Sequence, residues 1–170
     1  MALIDIAKLN AEVDKLIEKQ DEEIKRINTE VELKKETRFR AFMNEMEKYS
    51  EIVEPIQPAP YIFVGKHENG YGCRHPYYLR FDKRCHNIII SFGHDGKEYS
   101  QRFGYHQPFK EATAFGGSEV INSITKWYFE HSDEFELNLT KACIDVIRDK
   151  AEAANERMKT AEKQGVLNHE

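Results

Sequence analysis

Two closely spaced pairs of cysteine and histidine residues in the middle of the chain carry donor atoms that zinc prefers. The four residues are Cys73, His75, Cys85 and His86. Two thiolates and two imidazoles can hold one tetrahedral zinc ion, but this spacing is not that of a known zinc finger. If Cys85 and His86 lie on a strand, they point to opposite faces and cannot share a metal. We therefore expect no metal or other cofactor, and zinc is the less favoured alternative.

A second group of residues carries acid–base chemistry. His94 and Asp95 lie at the tip of a predicted hairpin, and we expect His75, Arg102 and His106 near them in the fold. A nuclease would use such groups. Nothing in the sequence fixes their geometry, and histidines in turns are usually solvated. We expect that the protein is not an enzyme, with a metal- or histidine-dependent hydrolase as the minor alternative.

The middle of the chain is basic and aromatic, whereas both flanking segments are acidic. Residues 61–110 carry eight lysines and arginines against four aspartates and glutamates, while residues 1–60 and 111–170 have net charges of −4 and −5. A surface that alternates cations with rings can hold phosphates and stack unpaired bases. The candidate residues for binding a partner or nucleic acid are Lys66, Arg74, Tyr77, Tyr78, Arg80, Lys83, Arg84, Lys97 and Arg102.

The first part of the chain predicts a long amphipathic helix. From Ile6 onward, apolar residues recur at steps of three, four and seven and form one stripe. The stripe is narrow and is interrupted by Gln20, Lys34 and Arg38, as in a coiled coil whose polar positions set the register. Such a helix needs a second helix to be stable, so we expect a dimer or larger oligomer. The residues expected to mediate oligomerisation are Val13, Ile17, Gln20, Ile24, Ile27 and Val31.

Composition shifts divide the chain into segments. From Phe39 the stripe gains bulk, which favours docking on a globular surface, and three prolines between Glu54 and Pro60 end the helix. The predicted segments are a helical arm (1–53), a proline-rich linker (54–60), a compact domain (61–131), a C-terminal helix (132–165) and a tail (166–170).

The compact domain predicts a small antiparallel meander. Strands are expected at 61–64, 77–81, 87–92 and 97–103, with Asp95-Gly96 as a tight turn and one polar face. A helix after Ser118 is expected to cover the sheet, and Gly165 is expected to end the last helix. The predicted fold class is α+β: a coiled-coil-like N-terminal helix, a β-meander and two C-terminal helices.

The sequence contains neither a basic leader at its start nor a run of 18 apolar residues. Its three cysteines are an odd number, which favours reduced thiols over a disulfide framework. We therefore expect a cytoplasmic protein that does not span a membrane.

These patterns favour a non-enzymatic interaction protein. The hypothesis is that it oligomerises through its long helix and docks on a larger protein or protein–nucleic acid assembly, including as an inhibitor or accessory factor of the phage or mobile-element type. The alternative is a single-stranded nucleic-acid-binding protein that uses the basic aromatic sheet.

Overall fold

The computed structural model describes residues 2–68, 74–94 and 97–169. Within these ranges, only the backbone is described for residues 2–4, 67–68, 74, 94 and 167–169. The predicted α+β fold is confirmed: a long N-terminal helix precedes a four-stranded antiparallel sheet, and helices follow it. The chain forms two compact units, residues 1–38 and residues 39–170.

Helix α1 runs from Ala2 to Val53. Every described side chain from residue 5 to residue 34 is exposed. Here Arg26 pairs with Glu23 one turn before it and with Glu30 one turn after it, which supports an exposed helix. The helix ends at Val53 because Pro55 disfavours helical geometry in the residue before it and cannot donate a backbone hydrogen bond.

The sheet has strands β1 (Ile62–Glu68), β2 (Arg74–Asp82), β3 (Asn87–His94) and β4 (Lys97–Gly104). The strands pair in sequence order, so the sheet is a meander. Asp95 and Gly96, the predicted turn, lie outside the described residues. The last pair before the turn joins His94 to Lys97, the register that a two-residue connection requires.

One face of the sheet forms the core of the second unit. Leu79 pairs with Ile90 in register, and Phe81 pairs with Ile88. The residues from α1 that complete this core share the stripe that the sequence predicts for docking, and they are Phe39, Phe42, Met43, Met46 and Val53. We call this side of the sheet the inner face and the opposite side the outer face.

Three helices follow the sheet: α2 (Phe109–Ala112), α3 (Gly117–Glu130) and α4 (Ser132–His169). Tyr128 of α3 packs edge-on against Phe42 and Phe135, with ring centroids 5.4 and 5.2 Å apart. Its hydroxyl donates to Glu45 Oε2 at 3.0 Å. Tyr128 therefore contacts both α4 and the part of α1 that begins at Phe39, and it holds α3 against them.

Three features of the helices differ from expectation. Helix α2 was not predicted, and Gly116, rather than a serine, stands at the N-cap of α3 with no side-chain hydrogen bond. Helix α4 continues past Gly165 to His169. A glycine ends a helix when it adopts the left-handed conformation, and Gly165 does not adopt it.

The outer face is less polar than expected. Ile89 is only 5% exposed although it lies on this face, and Ser91 is also buried. Both residues are on β3, which lies between β2 and β4, so long side chains of these two strands flank them.

Gly65 interrupts β1 where the register with β2 shifts, and its φ is +104°. A Cβ atom there would lie 2.7 Å from Trp127 Cγ on α3. We expect Gly65→Ala to lower the free energy of unfolding by at least about 2 kcal/mol, because the change combines a left-handed φ with overpacking.

The measurement is the urea midpoint followed by circular dichroism. Gly93→Ala is the matched control in the same sheet, because the nearest atom to its added Cβ is 3.8 Å away. Equal midpoints for the two variants would contradict the close packing of Gly65 on Trp127.

Candidate functional site

The outer face of the sheet brings together basic residues from two strands that are not neighbours. Arg80 on β2 lies opposite Ile89 on β3, and Ile89 lies opposite Arg102 on β4. The two guanidinium groups therefore flank one buried isoleucine. Tyr78 is two residues before Arg80, so it lies on the same face, where its ring is 38% exposed.

The position of Arg80 is stabilised by an aromatic ring. Its guanidinium carbon lies 4.7 Å from the centroid of the Tyr61 ring, a cation–π geometry. Tyr61 immediately precedes β1 and is 53% exposed. An exposed ring next to a cation is the pair of groups that a stacked base and its phosphate require.

The position of Arg102 is stabilised by an ion pair. Its Nη1 donates to Asp82 Oδ2 at 2.6 Å, and the Arg84 backbone N–H donates to Asp82 Oδ1 at 3.0 Å. The hydrogen bond from Arg102 lowers the pKa of the Asp82 carboxyl below its ordinary value. Asp82 is therefore a carboxylate at neutral pH and offsets part of the positive charge.

Arg80, Ile89, Asp82 and Arg102 line a groove of about 720 Å³ at one end of the outer face, which we call the basic groove. Its charged residues are four cations and one anion, so the groove attracts anions overall. The lining residues are Gln57, Ala59, Arg80, Phe81, Asp82, Lys83, Arg84, Cys85, Ile89 and Arg102.

The structure gathers four of the nine sequence-predicted binding residues in this groove: Arg80, Lys83, Arg84 and Arg102. Three more are placed elsewhere in the sheet. Lys66 is exposed on β1, Lys97 is exposed at the start of β4, and Arg74 begins β2, where its side chain lies outside the description.

Tyr77 was wrongly included in the binding set. Its ring is 2% exposed and packs against Phe92 on the inner face, with centroids 5.5 Å apart. Burial raises its pKa to about 12. Tyr77 and Tyr78 point to opposite faces because side chains alternate along a strand, so only Tyr78 is available to a partner.

The proposed zinc ligands are only partly described. Cys73 lies outside the described residues, and His75 is half-buried on β2. Cys85 and His86 are exposed in the turn between β2 and β3, not on a strand, so strand alternation does not separate them. Within residues 2–68, 74–94 and 97–169, no group of three or more potential metal ligands converges.

Of the acid–base residues, only Arg102 and His106 line one groove in the described part of the chain. The His94 side chain and Asp95 lie outside it, and Arg102 is paired with Asp82. His106 instead contacts Glu47 of α1, with Nε2 3.1 Å from Oε1. That pair lines an acidic groove of about 790 Å³, which shares Arg102 with the basic groove.

Sequence reasoning missed part of the basic groove. Gln57 and Ala59 belong to the proline-rich segment that the sequence predicts to be a linker, and Tyr61, whose ring contacts Arg80 beside the groove, is predicted only as part of a strand. The aromatic side chain at the end of this segment was a signal, because an exposed tyrosine beside a basic strand is a common partner of arginine.

The second candidate surface is the apolar stripe of α1. The six residues predicted to mediate oligomerisation are all exposed. The isoleucines and valines among them are between 42% and 55% exposed, although each is large and apolar. A stripe of this length without a covering layer is typical of a helix that binds another helix.

No family model, curated protein or solved structure gives a match to this chain. Among the described residues, no helix combines the length and the apolar character needed to cross a membrane.

The pairing of Asp82 with Arg102 can be tested directly. We expect Arg102→Gln to raise the pKa of Asp82 towards the ordinary value of about 3.9, because the strongest hydrogen bond to the carboxylate is lost. A group with a depressed pKa stabilises the fold above its unfolded pKa and loses that contribution as pH falls. The stability difference between wild type and variant should therefore shrink as pH falls below about 4.

The measurement is an NMR titration of the carboxyl groups. Arg84→Gln is the control, since Arg84 contacts Asp82 through its backbone N–H and the substitution keeps that group. An ordinary pKa for Asp82 in the wild-type protein would contradict the ion pair.

Proposed function

We propose that this chain is a non-enzymatic interaction protein that self-associates through the apolar stripe of α1. In this proposal the oligomer docks on a larger protein or protein–nucleic acid assembly, where it acts as an accessory or inhibitory factor. The uncovered stripe between Ile6 and Val31 carries the proposal.

The energetics of the stripe support association. Fully burying one isoleucine or valine side chain contributes about 1.5–3 kcal/mol, and these side chains are about half exposed in the isolated chain. Several such residues in one helix pair give a gain large enough to exceed the entropic cost of association. Gln20 within the stripe favours one register over others at a small cost in stability.

The docking part of the proposal has a different basis. Monomeric proteins rarely keep long apolar surfaces exposed, and oligomerisation would use up the α1 stripe. The basic groove would remain available, because its residues belong to the second unit and do not include the stripe. A cationic groove fits an acidic protein surface or a phosphate backbone.

Substitution within the stripe tests self-association. We expect the double variant Ile24→Asn and Ile27→Asn to raise the dissociation constant of the oligomer on the order of 100-fold or more. The reason is that each lost isoleucine contact costs about 2–4 kcal/mol, and 1.4 kcal/mol corresponds to about tenfold in affinity. The measurement is size-exclusion chromatography with light scattering over a range of concentrations.

Leu33→Asn provides the matched control. Leu33 is 62% exposed on the same helix but lies on the side opposite the stripe, so its loss should leave the oligomer intact. A monomeric wild-type protein, or equal dissociation by the control and the stripe variant, would contradict the proposal.

A second candidate function is single-stranded nucleic-acid binding, which the basic groove and the exposed Tyr61 ring next to its Arg80 favour. The expected ligand contacts are phosphates on Lys83, Arg84 and Arg102 and a base stacked on Tyr61. Tyr77 takes no part because it is buried.

A salt titration tests this second candidate. We expect a labelled oligothymidine of about 12 nucleotides to bind at low salt and to dissociate as salt rises. The double variant Lys83→Gln and Arg84→Gln should reduce the slope of log K against log salt by about 1.4, since each lost phosphate contact contributes about 0.7. Fluorescence anisotropy measures both.

The control variant is Lys110→Gln with Lys126→Gln, which removes the same charge from two exposed lysines outside the groove. An unchanged slope is expected for this pair. No binding even at low salt would contradict nucleic-acid binding as a function. Equal slopes for both double variants would mean that the oligonucleotide is attracted non-specifically and does not bind in the groove.

A further inference from the structure

Helix α4 carries a second uncovered apolar stripe. Beyond the core residue Cys143, its apolar residues recur at steps of three and four along one side of the helix. Ile144, Ile147 and Met158 are 47%, 54% and 63% exposed. The residues of this α4 stripe are Ile144, Ile147, Ala151, Ala154, Met158 and Ala161.

The α1 stripe has acidic flanks. In heptad order the stripe residues occupy positions a and d, and the flanking positions e and g face a partner helix. Between residues 9 and 35 these flanking positions hold four acids and one lysine. The acids, all exposed, are Asp14, Asp21, Glu23 and Glu30. Glu23 and Glu30 share Arg26 within the helix, where water surrounds all three side chains.

The α4 stripe has basic flanks. The same heptad positions between residues 136 and 162 hold four cations and two glutamates. The cations, all exposed, are Lys141, Arg148, Lys150 and Arg157. The two stripes therefore carry flanking charge of opposite sign, although the chain as a whole and both of its ends are acidic.

The stripes also differ in side-chain size in a way that suits contact between them. At the a and d positions α1 presents mainly isoleucine and valine, whereas α4 presents alanine at three of its six stripe positions. Large side chains of one helix fill the space that small side chains of the other leave open. A second α1 would instead bring net negative flanks against net negative flanks.

We infer that the α1 stripe of one copy packs against the α4 stripe of a second copy, with the acidic flanks of α1 facing the basic flanks of α4. This inference rests on the proposed self-association through α1 and names the surface that receives it. Each copy supplies one α1 and one α4, so two identical contacts close a twofold dimer with no stripe left over. Both stripes are solvent-exposed in the single chain, so each is available to the other copy.

Two charge-reversal variants of the full chain test this pairing. The acidic-flank variant carries Asp14→Lys, Asp21→Lys, Glu23→Lys and Glu30→Lys. The basic-flank variant carries Lys141→Glu, Arg148→Glu, Lys150→Glu and Arg157→Glu. Alone, each variant brings like charges together at both contacts, and we expect its dimer to weaken on the order of 100-fold. An equimolar mixture restores opposite charges at both contacts, so a heterodimer should form with wild-type affinity.

Light scattering and native mass spectrometry measure the species, and circular dichroism checks that the helices persist. The matched control, Glu18→Lys with Glu22→Lys, Glu32→Lys and Glu36→Lys, changes the net charge by the same amount on the side of α1 away from the stripe. This control should remain a dimer. Neutral versions of the two flank variants, with Asn and Gln in place of the charged residues, should dissociate to a smaller extent.

The outcomes separate the inference from the function on which it rests. An oligomer that is lost in the Ile24→Asn and Ile27→Asn variant but survives reversal of the α4 flank would overturn the inference and leave the proposed function standing. Failure of the two reversed variants to combine, with their helices intact, would also overturn it. A wild-type monomer at high concentration would overturn both.

Discussion

The structure depends on covering one face of a four-stranded meander. The inner face presents Leu79, Phe81, Ile88 and Ile90, and these strands are stable only when a helical layer removes those side chains from water. The part of α1 from Phe39 to Val53 supplies much of that layer, and α2, α3 and α4 supply the rest. The sheet is therefore stable only when α1, a helix that is distant in sequence from its last strand, covers it.

The positions of the outer-face side chains depend on the same helical layer, because the two faces of the sheet share one backbone. Arg80 and Ile89 alternate with core residues on β2 and β3, so the core determines where their side chains lie. The ion pair of Arg102 with Asp82 and the Tyr61 ring beneath Arg80 then orient the two guanidinium groups. Arg80 and Arg102 lie on strands of a packed sheet, where side chains are held more precisely than on a loop, whereas Lys83 and Arg84 lie in the turn between β2 and β3.

Helix α1 has two unlike surfaces along its length. From Phe39 its apolar side is buried, whereas the stripe before it remains in water. Helix α4 repeats this arrangement, with Phe135 buried near its start and Met158 exposed. In the dimer that we propose, the opposite charge of the flanks would give each stripe a preferred partner, since flanking charge distinguishes between stripes that are otherwise similar. The acidic net charge of the chain adds long-range repulsion between two copies. Short-range pairing must exceed this repulsion, and salt would reduce it.

Local sequence patterns predict most of the helices and strands of this protein. The long helix, the four strands, the proline boundary after Val53 and the bulky docking stripe from Phe39 all follow from periodicity and turn chemistry, because these signals act over a few neighbouring residues. The tertiary structure is needed to say which individual side chains are covered. It places Tyr77 in the core and Tyr78 at the surface, buries Ile89 on the outer face, and brings Gln57 to the groove and Tyr61 against Arg80. Those outcomes depend on contacts between residues far apart in the chain, and no local pattern encodes which distant side chain will arrive.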